Sequence, residues 1–241
     1  MTLEISVDLL ESAIIANNAG VDRIELCSDL SLGGTTPSYG LMKKARKLID
    51  IELYPIIRPR AGDFLYNKFE FDTIKEDVIL AKDLEMDGVV IGFLDKFGNI
   101  DKLKTKQILE LAYPLKVTFH RAIDRSKDIL KSIDDLIDVG VDRVLTSAGK
   151  DKAYDDLKMM EQIVKRANNK IKIMAGSGIS EENILSILNT GVDDIHMSAK
   201  KIFESNMIFK KEALIGYMDD DKIFKTDLNK IKNIKNIIKS A

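Results

Sequence analysis

The sequence predicts a single (β/α)8 barrel of the TIM type, closed by a C-terminal helix. Three observations carry this. A short unit recurs four times, as GVDRIEL from Gly20, MDGVVIGF from Met86, GVDRVLT from Gly140 and GVDDIHM from Gly191. Four further short apolar runs lie between these units, so eight strand-like runs alternate with helix-like segments. The length, 241 residues, suits eight βα units in one domain better than an open sheet.

Taken in order, LEISV at 3–7 reads as the first strand and SAIIANNA as the helix that returns from it. Gly20 then supplies the left-handed residue that ends a helix, and the β-branched run after it reads as a buried strand. IELYPII at 51–57 is the third strand and GVVIGF the fourth. LKVTFH at 115–120 is the fifth, and ILKSIDDLIDV leads into the sixth, RVLT. KIKIMAG at 170–176 is the seventh, and ENILSILNT returns to the eighth, DIHM. The tail from about Lys222, KTDLNKIKNIKNIIKS, reads as one terminal helix with Leu228, Ile231, Ile234 and Ile238 on its apolar side. The barrel is expected over about 3–205 and the tail over about 206–241, without a linker between them. No glycine-rich dinucleotide fingerprint follows the first strand, which argues against a doubly wound sheet.

Composition narrows the function classes. Hydrophobic residues make up 45% and charged residues 32%, an ordinary globular balance. A net charge of −2 gives no reason to expect nucleic acid or an acidic membrane as partner. Cys27 is the single cysteine, so no intrachain disulfide framework exists. The start, MTLEISVDLL, lacks a basic segment followed by an apolar one, and no apolar run is long enough for a membrane span. A soluble cytoplasmic protein is expected.

Barrel enzymes work at the C-terminal ends of their strands, so residues there are read for function first. Both histidines of the chain, His120 and His196, fall at such ends. Glu25 ends the second strand, and Asp124 follows His120 and Arg121 after the fifth. His120, with Glu25 and Asp124, is the expected proton-transferring set; His196 is expected mainly to position a ligand. Arg58 and Arg60 lie two apart in IIRPRAGDF, so in extended chain they point the same way. They would hold an anion between them, or be neutralised by Asp63, Glu25 or Asp124. AGSGI, with Gly176, Ser177 and Gly178 before a helix start at Ser180, is an expected phosphate cradle, with Ser198 alongside and Arg121 and Ser147 completing the pocket. Cys27 is read either as a thiolate ligand for Cu(I) or as a buried, inert thiol. No spaced histidine or cysteine metal motif and no nucleophile elbow is present.

Six blocks, IELCSDLSLGGTTPS, IIRPRAGDFLY, VTFHRAID, RVLTSAG, IMAGSGI and IHMSA, resemble the CutC family of so-called copper homeostasis proteins, in the family's order from about residue 4 to 199. The resemblance implies a TIM-type barrel, a cytoplasmic location, a homodimer and a role in binding Cu(I). The family's copper ligands would be cysteines ending the first two strands. Cys27 matches the second; the first is Ser6 in this chain. The polar pocket groups Glu4, Glu25, Arg58, Arg60, Asp63, His120, Arg121, Asp124, Thr146, Ser147 and His196 are all retained. Three functions are therefore expected: Cu(I) binding through Cys27, an isomerase- or lyase-type reaction on a small anionic or phosphorylated metabolite, or a ligand-binding regulatory module without chemistry.

Overall fold

The computed structural model describes residues 1–209 and 222–240. In chain order the elements are β1 (Thr2–Val7), α1 (Leu10–Asn18), β2 (Arg23–Leu26), α2 (Tyr39–Leu48), β3 (Glu52–Pro55) and α3 (Lys68–Asp83). There follow β4 (Gly88–Ile91), α4 (Lys102–Ala112), β5 (Lys116–Phe119), α5 (Ile129–Val139), β6 (Arg143–Thr146) and α6 (Leu157–Ala167). β7 (Lys172–Gly176), α7 (Ile184–Leu188) and β8 (Asp194–Met197) complete the barrel. A two-stranded arm, β9 (Lys200–Glu204) with β10 (Lys222–Thr226), and α8 (Leu228–Ser240) follow. Eight parallel strands run in the order β3-β2-β1-β8-β7-β6-β5-β4. A parallel bridge between Ile56 and Val90 joins the two ends, so the sheet closes into the expected barrel. No helix among the described residues is long and apolar enough to cross a membrane.

The recurring unit has a specific mechanical role. Its aspartate accepts a hydrogen bond from the backbone N–H near the start of the preceding strand. Asp22 takes Leu3 N–H at 2.8 Å, Asp87 takes Leu53 at 2.8 Å, Asp142 takes Val117 at 2.9 Å and Asp193 takes Ile173 at 2.9 Å. In return each aspartate's own N–H donates to the carbonyl of that same residue. The repeat therefore staples the strands in pairs at the base of the barrel, β1 to β2 through β7 to β8. Gly20, Gly140 and Gly191 supply the left-handed residue that precedes each staple. In the weakest copy Glu85 takes that conformation, with φ 56°.

Strand alternation sorts the side chains. Leu3, Ile5 and Val7, with their counterparts on the other strands, pack in the shell between sheet and helices. The opposite parity fills the barrel. Part of that filling is a small apolar cluster of Cys27, Tyr54, Ile56 and Val90. Much of the rest is charged, with Met174 and Thr118 accepting from the interior arginines, and leads to the site described below.

The tail differs from the expectation of one helix. Lys222–Thr226 is a strand, antiparallel to β9, with Thr226 opposite Lys200. Pairing with β9 and the bond from Thr226 N–H to Ser12 Oγ outweigh local helix propensity here. Asp227 caps the helix that follows by accepting from the N–H groups of Asn229 and Lys230. Ile231 and Ile234 are buried as expected, while Leu228 is partly exposed. Residues 210–221 of the expected tail, and Ala241, lie outside the described residues.

The staples and the exposed ion pairs beside them should differ in worth. Asp193→Ala, which leaves the Ile173 N–H without its acceptor, is expected to cost about 1.5–3 kcal/mol in urea denaturation. Lys172→Ala, which removes only the exposed partner of Asp193, is expected to cost less than about 1 kcal/mol.

Candidate active site

A ladder of alternating charges runs through the barrel interior. Arg143 pairs with Asp194, Asp194 with Arg23, and Arg23 with Glu4. Glu4 accepts a 2.6 Å hydrogen bond from Nδ1 of His196. The other ring nitrogen, Nε2, lies 3.9 Å from a Glu25 oxygen. Register explains the assembly. Glu4 stands opposite Arg23 on β2 and His196 on β8, so three adjacent strands bring the groups side by side. Gly176, opposite His196 on β7, makes room for the ring, since a Cβ there would lie 3.2 Å from it and 2.6 Å from Leu145.

Burial raises the cost of every charge here, and the neighbours decide who keeps one. Desolvation works to raise the pKa of Glu4, but the Arg23 guanidinium and the His196 hydrogen bond hold it at about 2. Glu4 is therefore a carboxylate, and it fixes the His196 proton on Nδ1. Among the described residues the one ion-pair partner of Glu25 is His196. Burial pushes the Glu25 pKa up to about 7, the charge of Glu4 adds to the rise, and His196 and, only weakly, Arg23 oppose it. Burial also works against charge on His196, but Glu25 and the Glu4 hydrogen bond outweigh it and raise its pKa. Glu25 thus titrates near neutral pH beside a His196 whose pKa lies above the ordinary imidazole value.

Both groups face a cavity of about 750 Å³ at the C-terminal end of the barrel, where Ser6, Ser198 and Lys230 also line the wall. A second cavity, also about 750 Å³, opens beside it under the loop after β3. Gly33, His120 and Arg121 line both.

The expected site residues divide between these spaces. Glu25, His196, Ser198, Ser177 and Gly178 border the first cavity; Arg58, Asp63 and Asp124 border the second. Arg58 and Arg60 do not act as a pair pointing the same way. β3 ends at Pro55, the chain turns, and each arginine finds separate partners. Arg58 is buried and donates to the carbonyls of Leu32, Gly34 and Gly62. Arg60 lies outside, bound to Glu70 and Asp63. Asp124 is fully engaged, accepting from Thr146 Oγ1 at 2.6 Å, from Arg121, and from the N–H groups of Ser147 and Gly149. Ser147 donates its backbone N–H to Asp124 and its hydroxyl to the Lys150 carbonyl.

The expected helix start at Ser180 is also corrected. α7 begins at Ile184, and the Ser180 N–H donates to the Asn183 side chain. Ser177 and Gly178, both at positive φ, pack instead against the loop at Asp151–Ala153. His120 is 4% exposed; its Nδ1 accepts from Ala122 N–H, and burial beside Arg58 pushes its pKa down to about 3. Cys27 is fully buried and its thiol donates to the Val7 carbonyl at 3.2 Å. Burial pushes its pKa up, with Glu25, Asp8 and Asp29 adding to the rise. Sequence reading passed over Arg23, Arg143 and Asp194, although each occupies the position after the aspartate of the repeat.

The two protons at the mouth should be coupled in a measurable way. Glu25 binds its proton more tightly folded than unfolded, about 7 against about 4.5. The stability this contributes is fully present below about 4.5 and is lost as pH rises through 7. Glu25→Gln should remove that slope from urea titrations across this window. It should also lower the His196 pKa, read by NMR of the ring, because the Glu25 charge is the largest factor raising it.

Comparison with known proteins places this geometry in a family. Residues 1–201, which contain every group of the ladder and both acid–base groups, match the CutC family. The family protein CutC of Pasteurella multocida is 43% identical over 238 residues, covering 98% of each chain. The human copper homeostasis protein cutC homolog is 37% identical and covers 99% of this chain and 89% of its own. The CutC crystal structure from Streptococcus agalactiae superposes with a TM-score of 0.78 at 35% identity, over 82% of this chain and 99% of that one. With likeness extending through sequence and barrel alike, this chain belongs to the CutC family.

Proposed function

We propose that the protein is a barrel enzyme of isomerase or lyase type that moves a proton on a small anionic metabolite, with Glu25 and His196 as the transferring groups. One observation carries this reading. The His196 ring is locked by Glu4 with Nε2 turned towards Glu25, 3.9 Å away, at the wall of a ligand-sized cavity. Glu4 keeps Nε2 free of the Nδ1 proton, so the imidazole can accept and return a proton there. Glu25, near 7, can do the same on its own side of a bound ligand. His120 and Asp124 fit this chemistry less well. His120 stays neutral at physiological pH, and the hydrogen bonds of Asp124 are all directed into the protein.

The competing reading is the copper role that names the human relative. Cu(I) calls for thiolate or thioether donors. Cys27 is packed among Tyr54, Ile56 and Val90, its thiol holds its proton, and the matching position on β1 is Ser6. These residues do not fit a Cu(I) site. Among the described residues the one group of three candidate ligands is Glu4, Glu25 and His196, whose oxygen and nitrogen donors are not the soft set Cu(I) prefers. A cytoplasmic homodimer is proposed on the resemblance alone.

Small carboxylates and phosphorylated metabolites should be screened by thermal shift, and the hits incubated in D2O with the protein. Proton exchange into a bound ligand, followed by NMR, is expected for the wild type. Glu25→Gln and His196→Gln should each slow it by about 100-fold or more. Unchanged exchange in both variants would remove these groups from the chemistry. In a parallel Cu(I) competition titration, Cys27→Ala should bind as the wild type does; a steep loss of affinity would favour the copper reading.

A further inference from the structure

We infer that the second cavity is a subsite for the oxyanion end of the ligand, a phosphoryl or carboxylate group held by Arg58 and by Nε2–H of His120. This rests on the proton-transfer reading for the ligand's other end and extends it: the substrate would be two-ended, anionic at one end and reactive at the other.

Arg58 supplies the charge. It is 5% exposed, and its three hydrogen bonds go to the neutral carbonyls of Leu32, Gly34 and Gly62. Among the described residues it forms no ion pair, and the further polar side chain beside it is the neutral phenol of Tyr66. A buried cation satisfied by dipoles alone keeps its field, and that field reaches the cavity it lines. The carboxylates bordering the same cavity are engaged elsewhere. Asp63 is bound to Arg60 and Asp95 to Asn99, while Asp124 accepts from Arg121, Thr146 and Ser147.

His120 supplies the second contact. Its Nδ1 accepts from Ala122 N–H, so the ring proton sits on Nε2. That donor is buried and has no hydrogen-bond partner among the described residues. A buried polar group of this kind calls for an acceptor. Gly92 is part of the design: a Cβ there would lie 2.2 Å from the His120 ring. Phe64, with its ring 4.9 Å from that of His120 and under the Arg58 guanidinium, covers the pair. Because His120 and Arg121 border both cavities, a ligand seated on Arg58 passes directly to the side where Glu25 and His196 stand.

The chain's two histidines make a direct test possible. Protein labelled with 15N in the histidine rings would be titrated with inorganic phosphate and, separately, with acetate. At least one of these oxyanions should shift the His120 Nε2 resonance and leave that of His196 unmoved; the tighter binder identifies the end group. Arg58→Gln, and the half-exposed Arg121→Gln should the first variant not fold, are expected to weaken this binding by about tenfold or more. His196→Gln should leave it within about twofold of wild type, since His196 lies outside the second cavity. If neither anion moves His120, or both rings respond alike, the subsite is not there. That result is separate from the deuterium-exchange experiment, which tests Glu25 and His196 whether or not an oxyanion binds at Arg58.

Discussion

The buried pair of Arg23 and Glu4 organises the two acid–base groups at the mouth, His196 and Glu25. An ion pair in a barrel interior is expensive to form and more expensive to break, because removal of one partner leaves the other uncompensated. Here the pair is extended in both directions. Asp194 and Arg143 continue it towards the base, and His196 and Glu25 continue it towards the mouth. The four inner charges balance one another. That balance leaves Glu4 ionised, which orients His196, and it leaves Glu25 with no fixed cation of its own. The lability of protons at the mouth follows from the rigidity of charges below it.

The repeat that builds the barrel also places this ladder. Its aspartate faces the backbone of the preceding strand and staples it. The next residue, of opposite parity, points into the barrel, and at that position the four copies carry Arg23, Gly88, Arg143 and Asp194. Gly88 is the uncharged copy because the ring of Tyr54 occupies the space, and a Cβ would lie 2.5 Å from it. Tyr54 in turn packs under the Arg23 guanidinium. Fold-building and site-building are thus done by adjacent residues of one short motif.

This divides what could be read from sequence from what could not. The eight strands were legible because helix-ending glycines and β-branched runs are local signals. The places of Glu25, His120 and His196 at the cavity walls were legible because polar groups at strand ends stand out against apolar runs. Their roles were not: His120 reads as the proton carrier and His196 as a positioning group until burial and the Glu4 bond are seen. The interior charges were less so. An arginine inside GVDRIEL looks like a solvated strand start until pairing of β1 with β2 places it opposite Glu4. The paired reading of Arg58 and Arg60 failed because it assumed extended chain beyond β3, whereas the strand stops at Pro55. The start of α8 was misplaced because β10 is held by a partner strand some twenty residues upstream, which no local propensity encodes. Cys27 was left open between ligand and core, and only its packing against Tyr54, Ile56 and Val90 shows how its thiol is held.

Proton transfer at the mouth depends on Glu25, buried at the end of the ladder, holding its proton up to neutral pH. Infrared difference spectroscopy of the carboxylic-acid carbonyl stretch, wild type against Glu25→Gln, measures this directly. A protonated-carboxyl band that belongs to Glu25 and disappears with a midpoint of about 7 is expected. A Glu25 band that is already lost by the ordinary carboxylate value of about 4.5 would contradict it, and with it the assignment of Glu25 as a proton-transferring group.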